Sequence, residues 1–180
     1  RKPLPRLYPE DPELKQEALD WEEELDTDLG PATRALILNA TLRHPEAIAR
    51  EAAWFKPPFF ELAIRVMTPG LRLAGTAAGA FGFPERRNRR SVAAVLEEIE
   101  TRIEHHDYLV GDQFTVADLT AASLLSPIME VDEFPYAPES GFPSSVDELR
   151  EDYASRPAIK WAKTMYGRHR VSTRRCHPSD

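Results

Sequence analysis

The sequence predicts an all-α domain, and three observations carry that prediction. No segment alternates apolar and polar residues with the period of two that a half-buried strand requires. Apolar residues instead recur at three- and four-residue steps, segment after segment along the chain. Helix-start signals stand where those runs begin, at Asp11-Pro12 and at Thr115-Val116-Ala117-Asp118. A chain of 180 residues that is 42% hydrophobic and 29% charged fits one globular domain with a single core.

Residues 1–10 read as a linker, because Arg1-Lys2-Pro3-Leu4-Pro5-Arg6 is basic and proline-rich without helical period. The domain spans 11–170, and 171–180 is a polar tail. Pro12 is placed at the first helical position behind Asp11 as cap, with carboxylates crowding the first turns where the helix dipole favours them. Leu14, Ala18, Trp21, Leu25, Ala32 and Leu36 then mark one apolar stripe. Gly30-Pro31 interrupts it; the missing N–H predicts a kink or a break before the helix resumes toward Leu42.

Pro45 opens a shorter segment over 46–55, and Pro57-Pro58 resets the chain before an apolar helix near 60–81, itself interrupted at Thr68-Pro69-Gly70. From Ser91 the pattern is clean. Val92, Val95, Leu96, Ile99 and Ile103 share one face, Glu97, Glu98, Glu100 and Arg102 lie on the other, and the helix ends near His106. A helix from Val116 to about Ser126 is apolar almost all round, which places it at the centre of the core. Pro127, Pro135, Pro138, Gly141 and Pro143 make 127–144 a long irregular loop. A short helix over 146–153 follows. Ser155 is the expected cap of a last one, in which Ile159, Ala162, Met165 and Tyr166 share a face.

The strongest local signal is Phe114-Thr115-Val116-Ala117-Asp118-Leu119. Thr115 can accept the N–H of residue 118 while the Asp118 carboxylate reaches back to the N–H of Thr115, a capping box with Asp in place of Glu. Phe114 and Leu119 fall at the two positions of a hydrophobic staple. On physical grounds this is a folding device and not a catalytic site.

Composition and charge exclude several classes. A net charge of −7 argues against general nucleic-acid affinity. The basic groups Arg86, Arg87, Arg89, Arg90 and Arg168 to His177 lack the interleaved aromatics that would stack bases. Glu10 to Asp28 is dense in carboxylates, with Lys15 as its one basic residue. The run 59–83 is broken by charges and falls short of a membrane span. The single Cys176 excludes a disulfide framework and points to a reducing, cytoplasmic setting. Neighbouring His105 and His106 point in different directions on a helix, so no metal site is expected. Cys176-His177 lacks the third group that would orient a nucleophile pair. The run Ala74-Gly75-Thr76-Ala77-Ala78-Gly79 lacks the order of a dinucleotide loop.

With its surroundings, Tyr108-Leu109-Val110-Gly111-Asp112-Gln113-Phe114-Thr115-Val116-Ala117-Asp118 resembles the segment leading into the central core helix of glutathione transferases. Arg156-Pro157-Ala158-Ile159-Lys160-Trp161 resembles the opening of their last helix, and Leu7-Tyr8-Pro9-Glu10-Asp11-Pro12 the linker into their first helical element. The three matches lie in order between Leu7 and Arg170.

The resemblance implies an orthogonal helical bundle, the C-terminal half of such an enzyme. Family members carry, ahead of it, a thioredoxin-like domain that grips glutathione and supplies the Ser, Tyr or Cys that activates its thiol. No such segment precedes Leu7, and the first methionine is Met67, so the chain reads as a piece of something longer that holds no catalytic residue and no cofactor. Glutathione is then the co-substrate of a parent protein, expected as a homodimer acting on small electrophiles. The wall of the electrophile pocket corresponds to Thr33, Arg34 and Ile37, with Trp161 and Tyr166 possible, and Asp26 corresponds to a contact with glutathione held by a partner subunit. For Ile37 and Trp161 the alternative is core packing; for Arg34 it is an ion pair with the acidic stretch. The competing functions are a non-catalytic interaction module and an apolar-ligand holder built on 59–83.

Overall fold

The computed structural model describes residues 7–41, 43, 85–131 and 141–169. Among them are six α-helices: α1 (Pro12–Glu24), α2 (Gly30–Thr41), α3 (Glu85–Ile103), α4 (Val116–Leu125), α5 (Ser144–Ala154) and α6 (Pro157–His169). No strand occurs among the described residues. The described part of the protein is all-α, as its apolar periodicity predicts. The expected segments over 46–55 and 60–81, and Ala74 to Gly79 with them, lie outside the described residues, as do Cys176 and His177.

Helix α1 begins where its sequence places it. The Asp11 carboxylate accepts the N–H groups of Glu13 at 2.8 Å and Leu14 at 3.2 Å, filling two of the donors that a helix start leaves open. The Gly30-Pro31 disturbance takes a different form from a break. Residues Leu25–Leu29 form a π turn, in which the Gly30 N–H reaches back to the Leu25 carbonyl, and α2 continues at once. Pro31 has no N–H to give to the carbonyl four residues earlier. The ladder absorbs the missing donor upstream by widening one turn. The turn leaves Leu25 and Leu29 buried while Asp26 and Asp28 face water.

Helix α4 packs against α1, α2 and α6. Val116, Ala117, Ala121, Ala122 and Leu125 are buried, whereas Leu119 and Ser123 stay exposed. The all-round apolar character expected of this helix therefore overstates its burial, and one edge is open. Its first N–H, from Val116, is accepted at 2.9 Å by the carbonyl of Leu7, so the end of the proline-rich leader is tied to the start of the central helix.

Helix α3 starts six residues earlier than its apolar period suggests and includes the arginine knot. Arg89 bridges Glu85 at 3.0 Å and Asp152 of α5 at 2.8 Å. Helix α5 begins by closing α2: the Ser145 hydroxyl donates to the Ala40 carbonyl at 2.8 Å. Pro127, placed by its sequence in a long loop, lies in a single 3-10 turn, Ser126–Ile128, that extends α4. Ser155 is the C-cap of α5 and not the cap of the last helix. Helices α5 and α6 are separated by two residues only, so the chain turns over Arg156.

Candidate functional site

The start of α4 is built around one buried carboxylate. Thr115 has the extended backbone of an N-cap residue, and it forms a capping box with Asp118. Asp118 is wholly buried. Its Oδ2 accepts the Thr115 N–H at 2.8 Å and the Thr115 hydroxyl at 3.0 Å, and its Oδ1 accepts the Leu109 N–H at 2.8 Å. One side chain thus holds the helix start and the loop before it. Gly111, at φ +60°, supplies the left-handed residue with which that loop turns back, a conformation open to glycine at little cost. Burial pushes the Asp118 carboxyl above its ordinary value, and the hydrogen bonds from Leu109 and Thr115 only partly offset this. Asp118 therefore works as a buried acceptor and not as an exchanging acid.

The staple differs from expectation. Phe114 is buried, but Leu119 is 40% exposed, so little apolar area is gained at the outer position. Phe114 instead stacks face to face on the ring of His169 at 3.9 Å, an aromatic partner more than fifty residues away that no local pattern announces.

The second built feature is the opening of α6. Arg156 donates from Nε and Nη2 to the two oxygens of Glu100 on α3, at 2.8 and 2.9 Å. The same carboxylate accepts the Ala158 N–H at 3.3 Å. Glu100 therefore caps α6 from a neighbouring helix, and Pro157, having no N–H, leaves that role to the next donor. The hydrogen bond to Glu100 is the main cause that raises the Arg156 guanidinium's affinity for its proton. Together with Asp118, this pairing shows what the two motifs do: both place helices.

The residues expected to form the pocket wall stand in two groups, Thr33, Arg34 and Ile37 on α2 and Trp161 and Tyr166 on α6. The Thr33 hydroxyl is buried and donates within its own helix, to the carbonyls of Leu29 at 3.1 Å and Gly30 at 3.2 Å. Ile37 packs partly buried against the core. Arg34 is exposed and forms no ion pair with the acidic stretch among the described residues. Trp161 is buried and donates Nε1–H to the Asp107 carbonyl at 2.9 Å, which pins the loop after α3. Tyr166 is half-buried against the core. Helix α2 packs on α3, α4 and α5, and so does α6, so the two groups stand on separate helices that share neighbours. Asp26 is exposed on the π turn.

The surface recesses lined by described residues include two. One of about 150 Å³ is floored by Met129 and Ile159 and rimmed by Arg150 and Lys163; the other, about 430 Å³, is polar and runs from Ile103 to Asp112. None of the six sequence-named residues lines either. No group of three or more His, Cys, Asp or Glu among the described residues can hold a metal ion, and His105 and His106 are simply exposed. No helix among the described residues is long and apolar enough to cross a membrane.

Glu100 and His169 are the residues that sequence reasoning missed. Glu100 reads as one more carboxylate on a solvated face, and His169 as part of a basic tail. The signal for Glu100 is its non-local match to Arg156-Pro157, which only the fold reveals.

No curated protein and no solved structure matches the chain. A family model does, the C-terminal domain of glutathione S-transferase, over residues 84–157. That interval runs from α3 through the start of α4 to Arg156-Pro157, and so contains Glu100 with Arg156, and Asp118 with Leu109 and Thr115. Over this interval the chain is similar to the glutathione S-transferase C-terminal domain, and the helical architecture of the described residues is consistent with that likeness.

Proposed function

We propose that this chain is the helical half of a glutathione transferase-like protein, shaping the hydrophobic wall for the electrophile that is joined to glutathione. The family match over the interval that carries both helix-placing motifs supports this reading. In it, glutathione is the co-substrate of the whole protein. A thioredoxin-like domain activates the thiol, and the whole acts as a cytoplasmic homodimer. This chain alone supplies no catalytic group. Asp118 and Glu100, its best-engaged carboxylates, are committed to helix starts.

The test is conjugation of glutathione to a chloronitrobenzene, followed by absorbance, with the chain alone and with the chain joined to a thioredoxin-like domain. No rate above the uncatalysed one is expected from the chain alone, and turnover from the joined protein. Turnover by the chain alone would overturn the division of labour. A joined, folded protein that binds glutathione yet shows no dependence on substitutions at Thr33, Arg34 or Ile37 would overturn the wall.

A second reading has one observation in its favour. Thr33 and Trp161 spend their polar atoms on the scaffold, and the candidate wall is split between α2 and α6. A helical module that binds another protein or holds an apolar ligand needs no convergent wall. An unrelated domain encoded upstream of Arg1 favours this module, and saturable binding of an apolar dye favours the ligand-holding form.

A further inference from the structure

His169 closes the last turn of α6 at a place that no step of conjugation uses. Its ring lies flat on Phe114, with centroids 3.9 Å apart and planes within 11° of parallel, and Tyr108 meets it edge-on at 6.0 Å. Nε2 is buried in this contact and has no hydrogen-bond partner. A neutral imidazole tolerates the arrangement, because it carries one proton, which the other nitrogen can hold. An imidazolium has N–H on both nitrogens and a full charge. Nε2 would then be a charged donor, out of water, with nothing to accept its proton, and that is costly.

We propose that His169 is a pH-sensitive latch: its neutral ring fastens the last turn of α6 onto Phe114 and Tyr108, and protonation in mildly acid solution releases it. The groups around the ring set the direction. Burial disfavours the cation, Arg168 on the same turn repels it, and Asp118 of α4 attracts it. Tyr108 is the titratable neighbour from the loop. Asp118 already accepts three hydrogen bonds, so its pull is shared, and the balance holds the ring below the usual histidine value of 6.5. Once the ring swings out, the carbonyl end of the helix favours its charge, which makes the open form the protonated one. A group whose folded value is lowered stabilises the closed form above pH 6.5 and loses that contribution as pH falls from there through the lowered value. In that window the opening constant rises by up to about tenfold per pH unit. Release uncovers Phe114 and Tyr108, both on the segment that leads into the central helix.

The experiment is an NMR titration of the full chain from pH 8 to 4.5, in the wild type and in His169→Phe, following the rings of its five histidines, each assigned through its own backbone connectivities. Amide exchange at Tyr166 to His169, corrected for the intrinsic pH dependence of exchange, is measured on both proteins. Phe keeps the stack and cannot titrate. The expected result is a His169 midpoint below 6.5, with opening of the last turn that steepens below that pH in the wild type and stays flat in His169→Phe. A midpoint at or above 6.5 in the wild type overturns the latch, and that reading needs no variant to fold. Equal pH dependence of opening in the two proteins overturns it as well.

Discussion

Replacing Asp118 by Ala removes the acceptor for three donors at once. The N–H groups of Leu109 and Thr115 and the Thr115 hydroxyl all end on this carboxylate, at 2.8 to 3.0 Å, in a site closed to water. The hydroxyl can rotate to another acceptor, but the two backbone donors cannot. Each orphaned buried N–H costs roughly 1–3 kcal/mol. Some of that is returned, because the carboxylate was itself held in the core against its hydration. A net loss of about 3 kcal/mol follows, a large share of the roughly 5–15 kcal/mol that a domain has. Asp118→Asn separates the contributions. Its amide oxygen can serve Thr115 or Leu109, but its NH₂ then faces the other donor, so one orphan remains and the loss is about 1–2 kcal/mol. Urea unfolding at pH 7 checks both, as a lower midpoint at unchanged slope. An Ala variant within about 0.5 kcal/mol of wild type, well inside the surface-substitution range, would refute the reasoning, and so would an Asn variant as costly as Ala.

Further outcomes follow from the same contacts. Because burial raises the Asp118 carboxyl above 3.8, the folded state binds that proton more tightly than the unfolded chain. Its contribution is fully present below 3.8 and is lost as pH rises through the raised value; wild type should therefore gain on Asp118→Asn as urea midpoints are followed from pH 7 down toward 4, and a constant difference would contradict this. Glu100→Ala removes both arms of Arg156 and the acceptor at the start of α6, with an expected loss of about 1–2 kcal/mol for a partly buried charged pair, read by the same unfolding assay. Trp161→Phe keeps the apolar ring but leaves the Asp107 carbonyl unpaired; about 1 kcal/mol and faster amide exchange over 104–108 are expected, whereas an unchanged loop would mean that the indole N–H is not what holds it.

How much of this was legible in the sequence depended on distance along the chain. Asp11-Pro12 and Thr115 to Asp118 are local devices, written within four residues, and the structure uses both. The apolar stripes of α1, α2 and α3 are local periodicities and fall in the core. What escaped is what two distant segments do jointly. The Leu109 N–H on Asp118, the Leu7 carbonyl on Val116 and the Ser145 hydroxyl on Ala40 each join segments with no shared pattern. The staple shows the same limit: its first member is right, but Phe114 takes a ring from α6 in place of the nearby Leu119. At Gly30-Pro31 the cause was legible and its location was not, because a helix answers a missing donor at the carbonyl one turn earlier. The pocket-wall residues were carried over from the family's pattern, which fixes where a helix lies but not which of its side chains are free.

Amide exchange at Leu109 and Thr115 tests most directly whether one buried carboxylate organises the central helix and the loop before it. If it does, both protons exchange only with global unfolding, at the free energy obtained from urea melts, and both lose that protection together in Asp118→Ala. Exchange of either proton by local fraying in the wild type, several kcal/mol below the global value, would contradict it.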